Sequence, residues 1–181
     1  PRDIGSVLRN LSNKSVLNLG MGGTGTLVQY ATLREYMDKN VKKVLWIYFE
    51  GNDLRNLEIE KTNKILINYL KDLNFTQNFK FRQKDIDIFI SKQIKETNIF
   101  KFKFIKFITI SNTRFLILSA LKSKSKKGNR RTPTPEFKQI LQLSKELVNK
   151  NNSKLYFVYL PQYHRYTTTY DNTGYNLVKK I

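Results

Sequence analysis

Apolar positions along the chain follow two periods. Ser15-Val-Leu-Asn-Leu19 is a short apolar run that stops at glycines, which predicts a buried strand. Gly20-Met-Gly-Gly-Thr-Gly25 follows as a glycine-rich turn. From Thr26 to Met37 the period lengthens: Leu27, Tyr30, Ala31, Leu33 and Tyr36 recur at helical spacing. Val44-Leu-Trp-Ile-Tyr-Phe49 is continuously apolar, β-branched and aromatic, as in a strand buried on both faces, with Trp46, Tyr48 and Phe49 as core. Glu50-Gly-Asn-Asp53 ends it with turn formers. Glu58 to Asp72 reads as a helix with Ile59, Ile65, Leu66, Tyr69 and Leu70 apolar. Asp85 to Leu121 also reads as helical, through Ile86, Ile90 and Ile94 and then a stripe of Phe100, Phe104, Phe107, Ile108 and Phe115. A basic loop, Lys122 to Arg131, leads to Thr132-Pro-Thr-Pro-Glu136, where Thr134 as N-cap and Pro135 in the first turn start a helix to Lys150. Leu155-Tyr-Phe-Val-Tyr-Leu160 predicts a third buried strand closed by Pro161, and Asp171 to Ile181 begins another helix.

Strands alternating with helices predict an α/β fold, here a three-layer α/β/α sandwich of flavodoxin-like type around a parallel sheet. A single domain over 1–181 would carry a helical basic insertion at 79–131. In such sheets function gathers at the carboxyl ends of the strands. Those ends are Gly20–Gly25, Glu50–Asp53 and Pro161–Tyr166.

Composition narrows the chemistry. The 181 residues include no Cys and one His, which excludes a disulfide scaffold, a thiol nucleophile and a Cys- or His-rich metal site. The formal net charge is +19, and the insertion, with fifteen Lys and Arg against Asp85, Asp87 and Glu96, holds +12 of it. Phosphate and base recognition favours Arg. Lys dominates here beside abundant Asn and Ile, so the charge reads as AT-rich coding composition and no nucleic-acid partner is expected, with a non-catalytic basic binding module as the alternative. The Lys–Phe alternation over 100–107 gives the insertion a basic amphipathic face, suited to contact with a membrane surface or to a lid. No apolar run is long enough to span a membrane. The first residue is Pro, with no leader pattern after it, which reads as an internal piece of a longer protein; the compartment stays open.

The glycine turn has two readings. Gly20, Gly22 and Gly25 fit G-x-G-x-x-G between a strand and a helix, and Glu50 ends the next strand where a ribose-binding acid of a dinucleotide site would stand. It lies 25 residues beyond Gly25, somewhat past the usual distance of about 20. The second reading takes both turns together. Val16-Leu-Asn-Leu-Gly-Met-Gly-Gly-Thr-Gly-Thr26, Leu33-Arg-Glu-Tyr36 and Val44-Leu-Trp-Ile-Tyr-Phe-Glu-Gly-Asn-Asp53 resemble the second and third motif blocks of the SGNH (GDSL-type) hydrolases.

That resemblance implies serine esterase or acyltransferase chemistry on a small acyl ester, without metal or organic cofactor. It implies oxyanion donors at Gly23 (backbone N–H; Gly22 if the register slips by one) and Asn52 (side-chain amide). Asp53 would hold the turn through backbone N–H groups. Glu50 stands where the family has a small residue, and could orient Asn52. The family's Gly-Asp-Ser nucleophile turn has no counterpart before Gly20, and Asp171 is followed three places on by Gly174 rather than His. The nucleophile and the catalytic Asp and His are therefore expected outside this chain, which alone should be inactive. His164, the single imidazole, reads as a surface or packing residue, and Gln162, Tyr163, Arg165 and Tyr166 as candidates for the rim of a substrate pocket.

Overall fold

The computed structural model of the protein describes residues 3–105, 133–167 and 172–180. Among them are seven α-helices, one short 3-10 turn and a two-stranded sheet. The chain divides into two units, Pro1–Phe75 with Arg131–Ile181, and Thr76–Arg130.

In the larger unit, β1 (Lys43–Phe49) and β2 (Lys154–Leu160) pair in parallel, from Lys43 opposite Lys154 to Phe49 opposite Leu160. Trp46, Tyr48, Phe157 and Tyr159 therefore share one face with Val44 and Leu155. Helices α2 (Thr26–Tyr36), α3 (Asp53–Glu60), α4 (Lys64–Lys71), α6 (Pro135–Lys150) and α7 (Thr173–Lys179) supply the rest of the core. Leu27, Tyr30, Trp46, Tyr48, Leu57, Tyr69, Phe137, Ile140 and Val178 form one buried cluster. The aromatic ring of Tyr48 packs on those of Phe137, Phe157 and Tyr159. Arg34 of α2 fastens α4: its guanidinium donates to the carbonyls of Tyr69, Leu73 and Phe75, each at 2.7 Å, near the end of that helix.

Several predicted elements stand. Thr134 caps α6 by accepting from the Phe137 N–H at 3.4 Å, with Pro135 at the first helical position. Both apolar runs at 44–49 and 155–160 are strands.

Three expectations are corrected. The 58–72 helix is two helices. Asn63 accepts from the N–H groups of Ile65 and Leu66 and so restarts the helix at Lys64, while the preceding one begins at Asp53. Ser15–Leu19 is not a strand. It follows an unpredicted helix, α1 (Ile4–Ser12), capped by Asp3, and is tied back to it: Arg9 donates to the Val16 carbonyl at 2.7 Å, and the Asn18 amide to Asp3 at 2.8 Å. Neither strand is buried on both faces. Leu45, Tyr156, Val158 and Leu160, on the face opposite Trp46, are each 39–47% exposed.

The unit Thr76–Arg130 holds α5 (Gln83–Ile105), so the predicted helix is present as far as it is described. Ile90 and Ile94 are exposed on it, together with Ile88 and Phe89. The stripe expected from Phe100 to Phe115 and the loop Lys122–Arg131 lie outside the described residues or side chains. No helix among the described residues is long and apolar enough to cross a membrane.

Candidate functional site

The glycine turn is built between Asn18 and α2. The Asn18 side-chain oxygen accepts the Gly20 N–H at 3.0 Å, and the Thr24 hydroxyl donates to the Met21 carbonyl at 2.8 Å. Gly23 has φ +83°, the left-handed region in which a side chain is strained, and nothing crowds it. Gly25 is a different case. Its φ is ordinary, but a Cβ there would meet the Leu57 backbone nitrogen at 2.7 Å. Close packing against α3 therefore requires that glycine.

Two side chains of α3 reach into the turn. The Asn56 amide nitrogen donates to the carbonyls of both Gly23 and Thr24, each at 3.2 Å. The Glu60 carboxylate accepts from the N–H groups of Gly25, Leu27 (3.1 Å) and Val28 (3.3 Å), the unpaired donors at the start of α2. A carboxylate there also meets the positive end of the helix dipole. Asn52, Asn56 and Glu60 are spaced four apart, which puts them along one side of α3. The Asn56 N–H donates to the Asn52 carbonyl at 2.8 Å, so Asn52 is the half-turn that opens the helix.

The second turn sits where both strands end. The Glu50 N–H continues the ladder by donating to the Leu160 carbonyl at 3.0 Å. Its carboxylate accepts from the Gln162 N–H at 2.9 Å and from Arg165 through Nε at 3.0 Å and through Nη2. Arg165 lies over the Tyr175 ring, 4.8 Å from its centre, and donates to Asn172. Burial alone would raise the Glu50 pKa, but the bonds from Arg165 and the Gln162 amide overcome it and hold the carboxyl at about 2. Glu50 is thus engaged with the turn after β2 rather than with Asn52.

Asp53 is buried at the start of α3. It accepts from the Phe49 N–H at 2.9 Å, with the Gln29 amide 3.5 Å away. This is the turn-holding role expected of it. Burial pushes its pKa from 3.8 to about 6; the bonds from Phe49 and Gln29 oppose the rise, and the charge of Glu60 adds to it.

A carboxyl whose folded pKa exceeds its unfolded one stabilises the fold fully below pH 3.8, and this contribution is lost as pH rises through about 6. Asp53→Asn should therefore abolish a fall in stability between pH 4 and 6.5. It should also raise stability at pH 7 by about 1–3 kcal/mol. Urea midpoints of both proteins across that range check this, and an identical slope in the variant would refute it.

Of the other residues considered, His164 lies exposed in the 3-10 turn Tyr163–Tyr166, its ring against that of Tyr163. Tyr163 and Tyr166 are more than 70% exposed on the same turn. Sequence reasoning missed Asn56 and Glu60, whose spacing from Asn52 was the available signal. No family model, curated protein or solved structure matches the chain.

Proposed function

We propose that this chain carries the oxyanion-stabilising part of an SGNH-type serine esterase or acyltransferase, on a three-layer α/β/α sandwich. The observation that carries the reading is Asn56. One side chain holds the carbonyl of Gly23 and stands one helical turn from Asn52, so a single helix links the two residues that the motif blocks nominate as donors. In the reaction, a serine oxygen attacks the ester carbonyl while a histidine takes its proton. The Gly23 N–H and the Asn52 amide stabilise the negative charge that develops on the carbonyl oxygen, and the alcohol leaves as the acyl-enzyme forms. Water or a second alcohol then accepts the acyl group. Removing one such donor typically costs about 10²–10³ in rate. The serine and the Asp-x-x-His pair are not among these residues, so the chain alone turns over no ester.

The dinucleotide reading fits less well. A pyrophosphate would need the amide groups at the start of α2, and Glu60 already occupies those of Gly25, Leu27 and Val28. A ribose would need Glu50, whose two oxygens are engaged by Arg165 and Gln162.

Titration of the ¹⁵N-labelled protein with methanesulfonate, a permanent oxyanion, tests the proposal against sodium chloride of equal ionic strength. Saturable shifts at the Gly23 N–H and the Asn52 side-chain amide, lost in Asn52→Ala, are expected. No shift at either group, or saturable shifts of Gly25 and Leu27 with NAD instead, would overturn it.

A further inference from the structure

We propose that Asn56 is a positioning residue: it selects the backbone conformer of Gly23 that aims the Gly23 N–H at the reacting oxygen. The inference deepens the oxyanion reading and rests on it for its catalytic meaning. Its geometric part stands alone.

Glycine populates positive and negative φ about equally, and reversing φ re-aims the N–H. Gly23 is exposed at +83°, and beyond its chain neighbours no atom lies within 4 Å of where its Cβ would be, so side-chain packing does not hold it there. Two contacts restrain it: the Thr24 hydroxyl, which donates to the Met21 carbonyl across it at 2.8 Å, and the Asn56 amide, which has two hydrogens for two successive carbonyls, those of Gly23 and Thr24, both at 3.2 Å. Fixing both carbonyls fixes the peptide planes on either side of Thr24 and so the exit of the turn. Below that exit the chain is already immobilised, because Gly25 is clamped by Glu60 and packed against Leu57. Gly23 is thus the joint between the stretch that Thr24 ties back to Met21 and a fixed helix, and Asn56 is the side chain that anchors its helix side. An oxyanion donor must be aimed before the charge develops, so a joint that samples both signs of φ binds only in the competent fraction.

The test has two arms on Asn56→Ala, which removes both donors without adding charge. In the first, the two amide-to-α-proton couplings of ligand-free Gly23 report φ. The wild type should show the pair belonging to one positive φ, and the variant values averaged over both signs, while the Trp46 indole signal keeps its folded position. Wild-type couplings in the variant would overturn the proposal whatever the protein binds.

In the second arm, methanesulfonate affinity at Gly23 should fall about twofold or more, as the competent fraction falls. Equal affinity in both proteins would overturn the aiming role. Absence of binding in the wild type, with averaged couplings in the variant, would instead sink the oxyanion reading and leave the conformer selection standing. Should Asn56→Ala unfold, Asn56→Asp keeps the shape and loses the donors, and the same couplings decide.

Discussion

Arg165→Ala should cost about 3–5 kcal/mol at pH 7, enough to leave the native state of a marginal domain poorly populated. The Glu50 side chain is 6% exposed and that of Arg165 13%, so the pair is held almost out of water. Truncating the arginine would leave a carboxylate held by the Gln162 N–H and the Tyr159 hydroxyl, with no cation beside it. It would also empty the slot above the Tyr175 ring and break the bond to Asn172.

The pH dependence identifies the cause. In the wild type the folded pKa of Glu50 is depressed from 4.5 to about 2, so its contribution is present above pH 4.5 and lost as pH falls through 2. In the variant the stranded carboxyl should favour the protonated form, and the deficit should shrink as pH is lowered toward 4. Arg165→Lys keeps the charge but not the two-pronged fit, and should fall between. Adding Glu50→Gln to Arg165→Ala should recover part of the loss, since the second substitution removes the unpaired charge. Urea unfolding at pH 7 and pH 4.5 measures all four proteins; a change in Arg165→Ala within about 0.5 kcal/mol would mean that the pair is merely decorative. The pair matters for the site because it ties the turn after β2 to the residue two places before Asn52.

Neither half of that pair was legible as a pair. Glu50 stood out in the sequence as a charged residue ending an apolar run, and Arg165 only as a possible border of a pocket. Their partnership spans 115 residues and depends on β1 lying beside β2 in parallel, which no local period encodes. What was legible is local. Apolar runs marked both strands, a Thr-Pro-Glu start marked α6, and the two turn motifs marked the strand end and the helix start that flank the site. Misreadings came where a side chain overrode the period. Asn63 recaps the chain in the middle of an apolar helical pattern, and Arg9 and Asp3 bind Val16 and Asn18 to α1 where the run alone suggested a sheet. Because α3 was expected to begin at Glu58 rather than Asp53, the Asn52–Asn56–Glu60 spacing was not seen as one side of a helix.

Gly25→Ala is expected to be the most damaging of the single-methyl insertions in the glycine turn, at about 3 kcal/mol. Its Cβ would fall 2.7 Å from the Leu57 nitrogen, 2.8 Å from the Asn56 Cβ and 2.8 Å from a Glu60 carboxylate oxygen. The first of these is backbone, and Leu57 is fully buried, so α2 and α3 must move apart rather than one side chain swing away. That separation would pull the amides of Gly25, Leu27 and Val28 off Glu60 and leave them unsatisfied.

Gly23→Ala meets no atom but must hold φ +83°, which costs about 1–2 kcal/mol. Gly22→Ala meets neither obstacle and should lie within about 0.5 kcal/mol of the wild type. For a chain of this size each kcal/mol moves Tm by about 2–4 °C, so thermal melts resolve the order Gly25, Gly23, Gly22. The ranking also separates the two readings of the turn. A dinucleotide fingerprint requires its second glycine, here Gly22, for close approach of a pyrophosphate, so Gly22→Ala should abolish binding there without unfolding the protein. An oxyanion turn held by α3 requires Gly23 for its conformation and Gly25 for its packing, and leaves Gly22 free to change. A Gly22→Ala variant that keeps its Tm and its methanesulfonate shifts, beside a Gly25→Ala variant that loses both, is the outcome the α3-clamped turn demands; the reverse order would refute it.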